Sequence, residues 1–252
     1  MNRVHRLAFL GFFLMIALHH QARASVRESI HVCRENQKLP IEYLQVTLVS
    51  GDSLPPCQIE GVVVSSLGKV PHDNYLMTCF AYMKRVFYLE RGQLVFFREP
   101  APWRRNAYAC PEGFVLLGCY LYEFELKASG WGAILGILAH EVGHLVQIEL
   151  IWPAGTQTIH RELEADFLAG FILGFLNVDD PELIAGFLDS IFRAGDIHRD
   201  HANHHGTGPQ RQESARRGYQ LGQKAFLLGW RHTPADLHQT FLWYHLPEIL
   251  SR

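Results

Sequence analysis

The apolar positions of this chain follow two rhythms. Before about residue 130, short runs rich in β-branched and aromatic residues are broken by turn residues. After it, apolar residues recur every three or four positions over longer stretches. The first rhythm fits strands and the second fits helices. LQVTLVS (44–50), GVVVSS (61–66), QLVFF (93–97) and GFVLLGCYLY (113–122) read as strands. DNYLMTCFAYMKRVFYLERG (73–92) has helical length and spacing and ends at Gly92, and its aromatics read as core. EPAPW (99–103) reads as a loop.

In the second region helices are expected over 132–150, 157–176 and from Asp180 to Gly195. Trp152-Pro153-Ala154-Gly155 ends the first of them. Asp180 is an N-cap followed by proline at the first helical position. A loop over 196–208 leads to a fourth helix over 209–229, and Thr233-Pro234-Ala235-Asp236 opens a short last one. No repeat and no linker interrupts this order. The pattern predicts a single α+β domain over 25–252, a mixed α/β N-terminal part packed on a helical C-terminal part.

The first 24 residues stand apart. Arg3 and Arg6 precede an apolar run from Leu7 to Leu18, and Ala22 and Ala24 follow in a small-x-small arrangement. This is the pattern of a secretory signal peptide cleaved after Ala24. The run is shorter than the ~20 residues that span a bilayer. The chain is therefore expected to be exported, periplasmic or secreted; the alternative is a membrane anchor formed by an uncleaved 7–18.

Composition narrows the class of partner. A formal net charge of −2 over 252 residues offers no basic surface for nucleic acid. Cys33, Cys57, Cys79, Cys110 and Cys119 all fall in the N-terminal half. In an exported protein they suggest disulfides with one thiol left over, and their spacing leaves the pairing open. No CxxC pair exists to make a zinc ribbon. Histidine is abundant, with 15 residues.

Two of those histidines lie in LAHEVGHLVQ (138–147). His140 and His144 stand four apart, so in a helix they share a face and can reach one ion. Glu141 sits beside them, placed to take a proton from a water that the ion activates. The flanks are apolar, and burying these polar groups costs several kcal/mol unless something satisfies them. The next helix, RELEADFLAG (161–170), repeats the spacing with Glu162 and Asp166. An antiparallel pair would bring Glu162 to the histidines as third ligand. Asp166, one turn deeper, could accept a hydrogen bond from a ligand imidazole. Ile159, Leu163, Phe167 and Phe171 form an apolar stripe, and Ala165, Ala169 and Gly170 permit close approach to another helix. Glu164 lies about 200° around the wheel from Glu162 and is expected in solvent.

HEVGHLVQ and ELEADFLAG resemble the bacterial neutral zinc metallopeptidase family of the gluzincin type. Its members pair an HE-x-GH-x-x-Q helix with an E-L-x-A-D-x-x-A-G helix. YACPEGFVLL (108–117) and HGTGPQRQESARRGY (205–219) are similar to that family's cysteine-proline and His-Gly segments. The resemblance covers roughly residues 105–220. It implies a zincin-like fold and one Zn2+ per chain, held by His140, His144 and Glu162. It implies Glu141 as general base, Asp166 behind the ligands and His205 as a donor to the oxyanion. GFVLLG would be the edge strand on which a protein or peptide substrate lies. The implied activity is endopeptidase, with a zinc-activated water and a glutamate base.

Two other readings compete. One is an exported zinc-binding protein with a structural or chaperone role and no proteolysis. Glu141 speaks against it, because a structural site has no use for that carboxylate. The other is a metal buffer built on the histidine-rich loop of His198, His201, His204 and His205. Arg211, Arg216 and Arg217 read as a solvated helix face, one of which could order the site.

Overall fold

The structure, a computed structural model, describes residues 61–150, 156–196 and 204–251. The expected signal segment 1–24, the strand over 44–50, Cys33, Cys57, His198 and His201 lie outside the described residues. Among the described residues the architecture is α+β, with helices in the majority and one four-stranded sheet.

The strands are β1 (Val62–Val64), β2 (Gln93–Arg98), β3 (Ala107–Ala109) and β4 (Phe114–Gly118), in the order β1-β2-β4-β3. β1 pairs antiparallel to β2, β2 parallel to β4, and β3 antiparallel to β4. Val95 and Tyr108 both stand opposite Leu116. β2 and β4 are nearly continuous apolar runs, as strands buried on both faces are. GFVLLG therefore lies inside the sheet, between β2 and β3, and is not the edge. Among the described strands the edge beside it is β3, whose three residues are too short a run to stand out in the sequence.

The strand expected over 113–122 stops at Gly118, and helix α2 (Cys119–Glu149) begins at once. The cause is a tertiary contact. Glu99, from the preceding loop, is buried and accepts from the backbone N–H groups of Tyr120 and Leu121. A carboxylate at a helix N-terminus satisfies donors that have no partner in the helix. The helix expected over 132–150 is only the second half of α2. Gly130, at φ 71° and ψ −160°, breaks the helical path between the halves, a backbone conformation that glycine adopts without a Cβ penalty.

Helix α1 (Val70–Val86) begins and ends earlier than expected. Gly92, at φ 119°, belongs to the turn into β2, and its carbonyl accepts from Lys84 Nζ. The other helices follow the sequence closely. They are α3 (Thr158–Phe175), α4 (Pro181–Arg193), α5 (Gly208–Leu228), α6 (Pro234–Thr240) and, after a π-helical turn, α7 (Leu246–Leu250). Asp180 accepts from the Glu182 N–H, and Thr207 and Thr233 make capping boxes with Gln210 and Asp236.

The core lies where α2 packs against the sheet and α3, with α5 laid on α3, around Leu138, Val142, Leu163, Phe167 and Phe171. Burying each such side chain is worth about 1.5–3 kcal/mol. α3 and α5 approach so closely that a Cβ on Gly170 would meet the Ala215 carbonyl, and one on Gly218 the Phe167 carbonyl. No helix among the described residues is long and apolar enough to cross a membrane. Cys119 is a buried thiol.

Candidate metal centre

The second half of α2 lies against α3. His140 meets Asp166, His144 meets Glu162 and Gln147 meets the Arg161 carbonyl. Residue numbers run oppositely across the contact, so the two helices are antiparallel, the arrangement expected to bring Glu162 to the histidines. Gly143 makes the approach possible, since a Cβ there would stand 3.0 Å from the Ala165 carbonyl.

The pairing brings His140, His144 and Glu162 together. Nε2 of His140 is 3.5 Å from one Glu162 oxygen, and Nε2 of His144 is 3.4 Å from the other. The two imidazoles are edge to face, 4.6 Å between centroids. One ligand atom from each of the three residues lies within 4.8 Å of the others, and the group could hold a metal ion. Ligands at ~2.0–2.1 Å from one ion in a tetrahedron stand ~3.4 Å apart, close to the two measured separations.

Each imidazole is held from behind through Nδ1, which turns Nε2 toward Glu162. Behind His140 the support is charged. Its Nδ1–H donates to Asp166 Oδ1 at 2.9 Å. Arg211 donates to the same carboxylate twice, Nε to Oδ2 at 2.7 Å and Nη2 to Oδ1 at 3.0 Å. Its Nη2 also lies 3.3 Å from Glu162 Oε2. Behind His144 the first partner is neutral. Its Nδ1–H donates to Gln147 Oε1 at 2.8 Å. Gln147 Nε2 donates to the Arg161 carbonyl and to Glu164 Oε2, and His238 Nδ1 stands 2.7 Å from Glu164 Oε1.

These contacts set the titration of the metal-free group. Burial alone would lower the His140 pKa, but hydrogen bonds to Asp166 and Glu162 raise it to about 10. Burial would raise Glu162, yet its bonds to His140, His144 and His205 hold it far below the carboxylate range. Burial also works against the Arg211 charge, and Asp166 more than restores it. Burial pushes the Glu141 carboxyl above its ordinary value.

A cleft of about 810 Å³ opens onto the group. It is lined by His140, Glu141, His144, Glu162, His205 and Arg211, and on another side by residues 105–109, which include all of β3. Glu141 is 7% exposed and makes no hydrogen bond or ion pair among the described residues. His205 is half-exposed, with Nδ1 3.5 Å from Glu162 Oε2, and this contact raises its pKa. His204 is buried and lies 3.6 Å from Asp196, away from the three-residue group.

All six residues singled out in the sequence, His140, Glu141, His144, Glu162, Asp166 and His205, come together here. Two expectations fail. Glu164 is fully buried, because α6 brings His238 against the side of α3 that a lone helix would show to water. Arg211 is 4% exposed, because α5 packs it onto Asp166; Arg216 alone of the three arginines is well exposed. Gln147 stood in the quoted motif without a role. His238 carried no local signal, being one histidine among many on a short helix.

Comparison with protein families, with curated proteins and with solved structures returns no match.

Proposed function

We propose that this chain is a zinc-dependent endopeptidase of the gluzincin kind. His140, His144 and Glu162 would hold one zinc ion, which suits a donor set of two imidazoles and one carboxylate. Zinc, when bound, supplies Lewis acidity, bringing the pKa of water toward ~7 and polarising a carbonyl.

The observation that carries this reading is Glu141. It is a buried carboxylate with no hydrogen-bond partner among the described residues, and it faces the cleft beside the two imidazoles. Its oxygens reach the cleft, and a site kept only for structure gains nothing from a carboxylate there. Its raised pKa suits a group that takes a proton from the attacking water and then gives it to the leaving amine. His205, across the same cleft, would donate to the oxyanion that develops on the carbonyl. The extended substrate would lie along β3, whose outer side is the sheet edge and which lines the cleft.

The test is Glu141→Gln. Both proteins should bind one zinc per chain. Casein hydrolysis by the variant should fall roughly 10²–10⁴-fold, the usual worth of a general base. A wild-type protein that binds zinc but cleaves nothing in a broad peptide library would leave the zinc-binding role standing and the peptidase role refuted.

A further inference from the structure

We propose that His238, Glu164 and Gln147 form a positioning relay that fixes the tautomer and direction of His144 at the metal. The proposal rests on the metal-centre reading and not on peptidase activity.

The argument begins with the Gln147 amide, which is 1% exposed. Its nitrogen has two N–H groups, and both are used. One donates to the Arg161 carbonyl at 2.8 Å and the other to Glu164 Oε2 at 2.9 Å. Neither acceptor is a donor in this arrangement. A flipped amide would turn its oxygen onto two oxygens with no proton between them. Gln147 Oε1 is therefore held toward His144 Nδ1, 2.8 Å away, where it can only accept. The His144 proton must then sit on Nδ1, which leaves the Nε2 lone pair directed at the Glu162 side of the site. A metal ligand needs that tautomer.

Glu164 anchors the amide, and His238 anchors Glu164. The carboxylate is fully buried, with one oxygen on Gln147 and the other 2.7 Å from His238 Nδ1. His238 sits on α6, 74 residues away in sequence, and its side chain is 22% exposed. Apolar side chains in place of the whole Gln147–Glu164–His238 set would fill this space at equal or lower cost in stability. What the carboxylate adds is a fixed acceptor, and so a fixed direction, for the amide. The His140 side needs no such relay, because the Asp166 carboxylate accepts at either oxygen and cannot present a wrong face.

The experiment uses the full chain stripped of metal. It measures the zinc dissociation constant by competition with a chromophoric chelator, and the thermal midpoint in excess chelator as a check on folding. Glu164→Leu should lower the midpoint, because it orphans a buried Gln147 N–H, and should weaken zinc binding to the folded chain about 10-fold or more, as loss of an outer partner does. Glu164→Gln should restore binding to within about threefold, because its oxygen can accept from Gln147 while its N–H groups face His238. His238→Ala, at a part-exposed side chain whose place water can take beside Glu164, should weaken zinc about threefold with little change in the midpoint. It decides the matter if Glu164→Leu does not fold. Wild-type affinity in Glu164→Leu or in His238→Ala, or equal weakness in the Leu and Gln variants, overturns the relay. A wild-type chain that binds no zinc overturns the metal centre and the relay with it, a result distinct from all the others.

Discussion

The two histidines of HEVGH sit one turn apart on one helix, yet they are held by different chemistry. Behind His140 stand two full charges, Asp166 and Arg211, both buried and joined by two hydrogen bonds. Behind His144 stands a neutral amide, with the nearest charge one residue further out at Glu164. A carboxylate behind an imidazole raises its basicity as well as orienting it, whereas an amide only orients it. The arginine offsets the negative charge that Asp166 and Glu162 would otherwise concentrate beside Glu141. One ligand is tuned by charge and the other by direction, and substitutions on the two sides should separate these effects.

The largest expected effect is on the charged side. Asp166→Ala removes the acceptor of His140 and leaves Arg211 buried with only Glu162 and the Ala194 carbonyl for partners. Breaking a buried pair in this way costs about 3–5 kcal/mol, to be read from urea unfolding of the metal-free protein. Zinc affinity should fall 10–100-fold in the same variant.

A pH dependence comes next. His140 rises from ~6.5 in the unfolded chain to about 10 in the metal-free fold. Between those values the folded chain holds a proton that the unfolded chain lacks. Its contribution to stability is full below ~6.5 and is lost as pH rises through about 10. Zinc must displace the same proton, so its affinity should climb as the stability of the metal-free protein declines. Unfolding midpoints and zinc competition measured across this range should slope in opposite directions, and Asp166→Ala should flatten both. Parallel slopes in the wild type would show that the charged side does not govern His140.

Arg211→Lys keeps the charge and loses the fork that grips Asp166 at two points. Thermal or urea unfolding should show a loss of about 1.5–3 kcal/mol, the worth of a charged hydrogen bond. The smallest effect belongs to Thr207→Ala. It removes the capping box that starts α5 four residues before Arg211, and should cost about 1 kcal/mol with zinc affinity nearly unchanged. A large loss of zinc affinity there would mean that the position of Arg211 depends on the helix start more than on Asp166.

Much of the site was legible in the sequence because it depends on local geometry. A helix carries i and i+4 on one face whatever surrounds it, so His140 with His144 and Glu162 with Asp166 could be paired from spacing alone. The caps at Asp180 and Thr233 are equally local. Where an element's surroundings matter, the reading failed. A helical wheel places Glu164 opposite Glu162, but it does not say what stands opposite. A signal was present all the same: RELEADFLAGFILGF is apolar nearly all round, and every residue from Leu163 to Gly174 is buried. A helix of that kind has no wet face for a carboxylate. The early end of the 113–122 strand had no such signal, because the group that starts α2 is Glu99, on another segment.

The sequence by itself determined most of the helices after residue 131, the caps at Asp180 and Thr233 and the face on which the candidate ligands lie, because these follow from the periodicity of one stretch of backbone. Tertiary structure alone decided what stands behind each ligand: Arg211 from α5, His238 from α6, and β3 rather than β4 at the sheet edge. Those partners come from segments far apart in the chain. They meet only once burial has forced each polar group to find a hydrogen bond inside the protein.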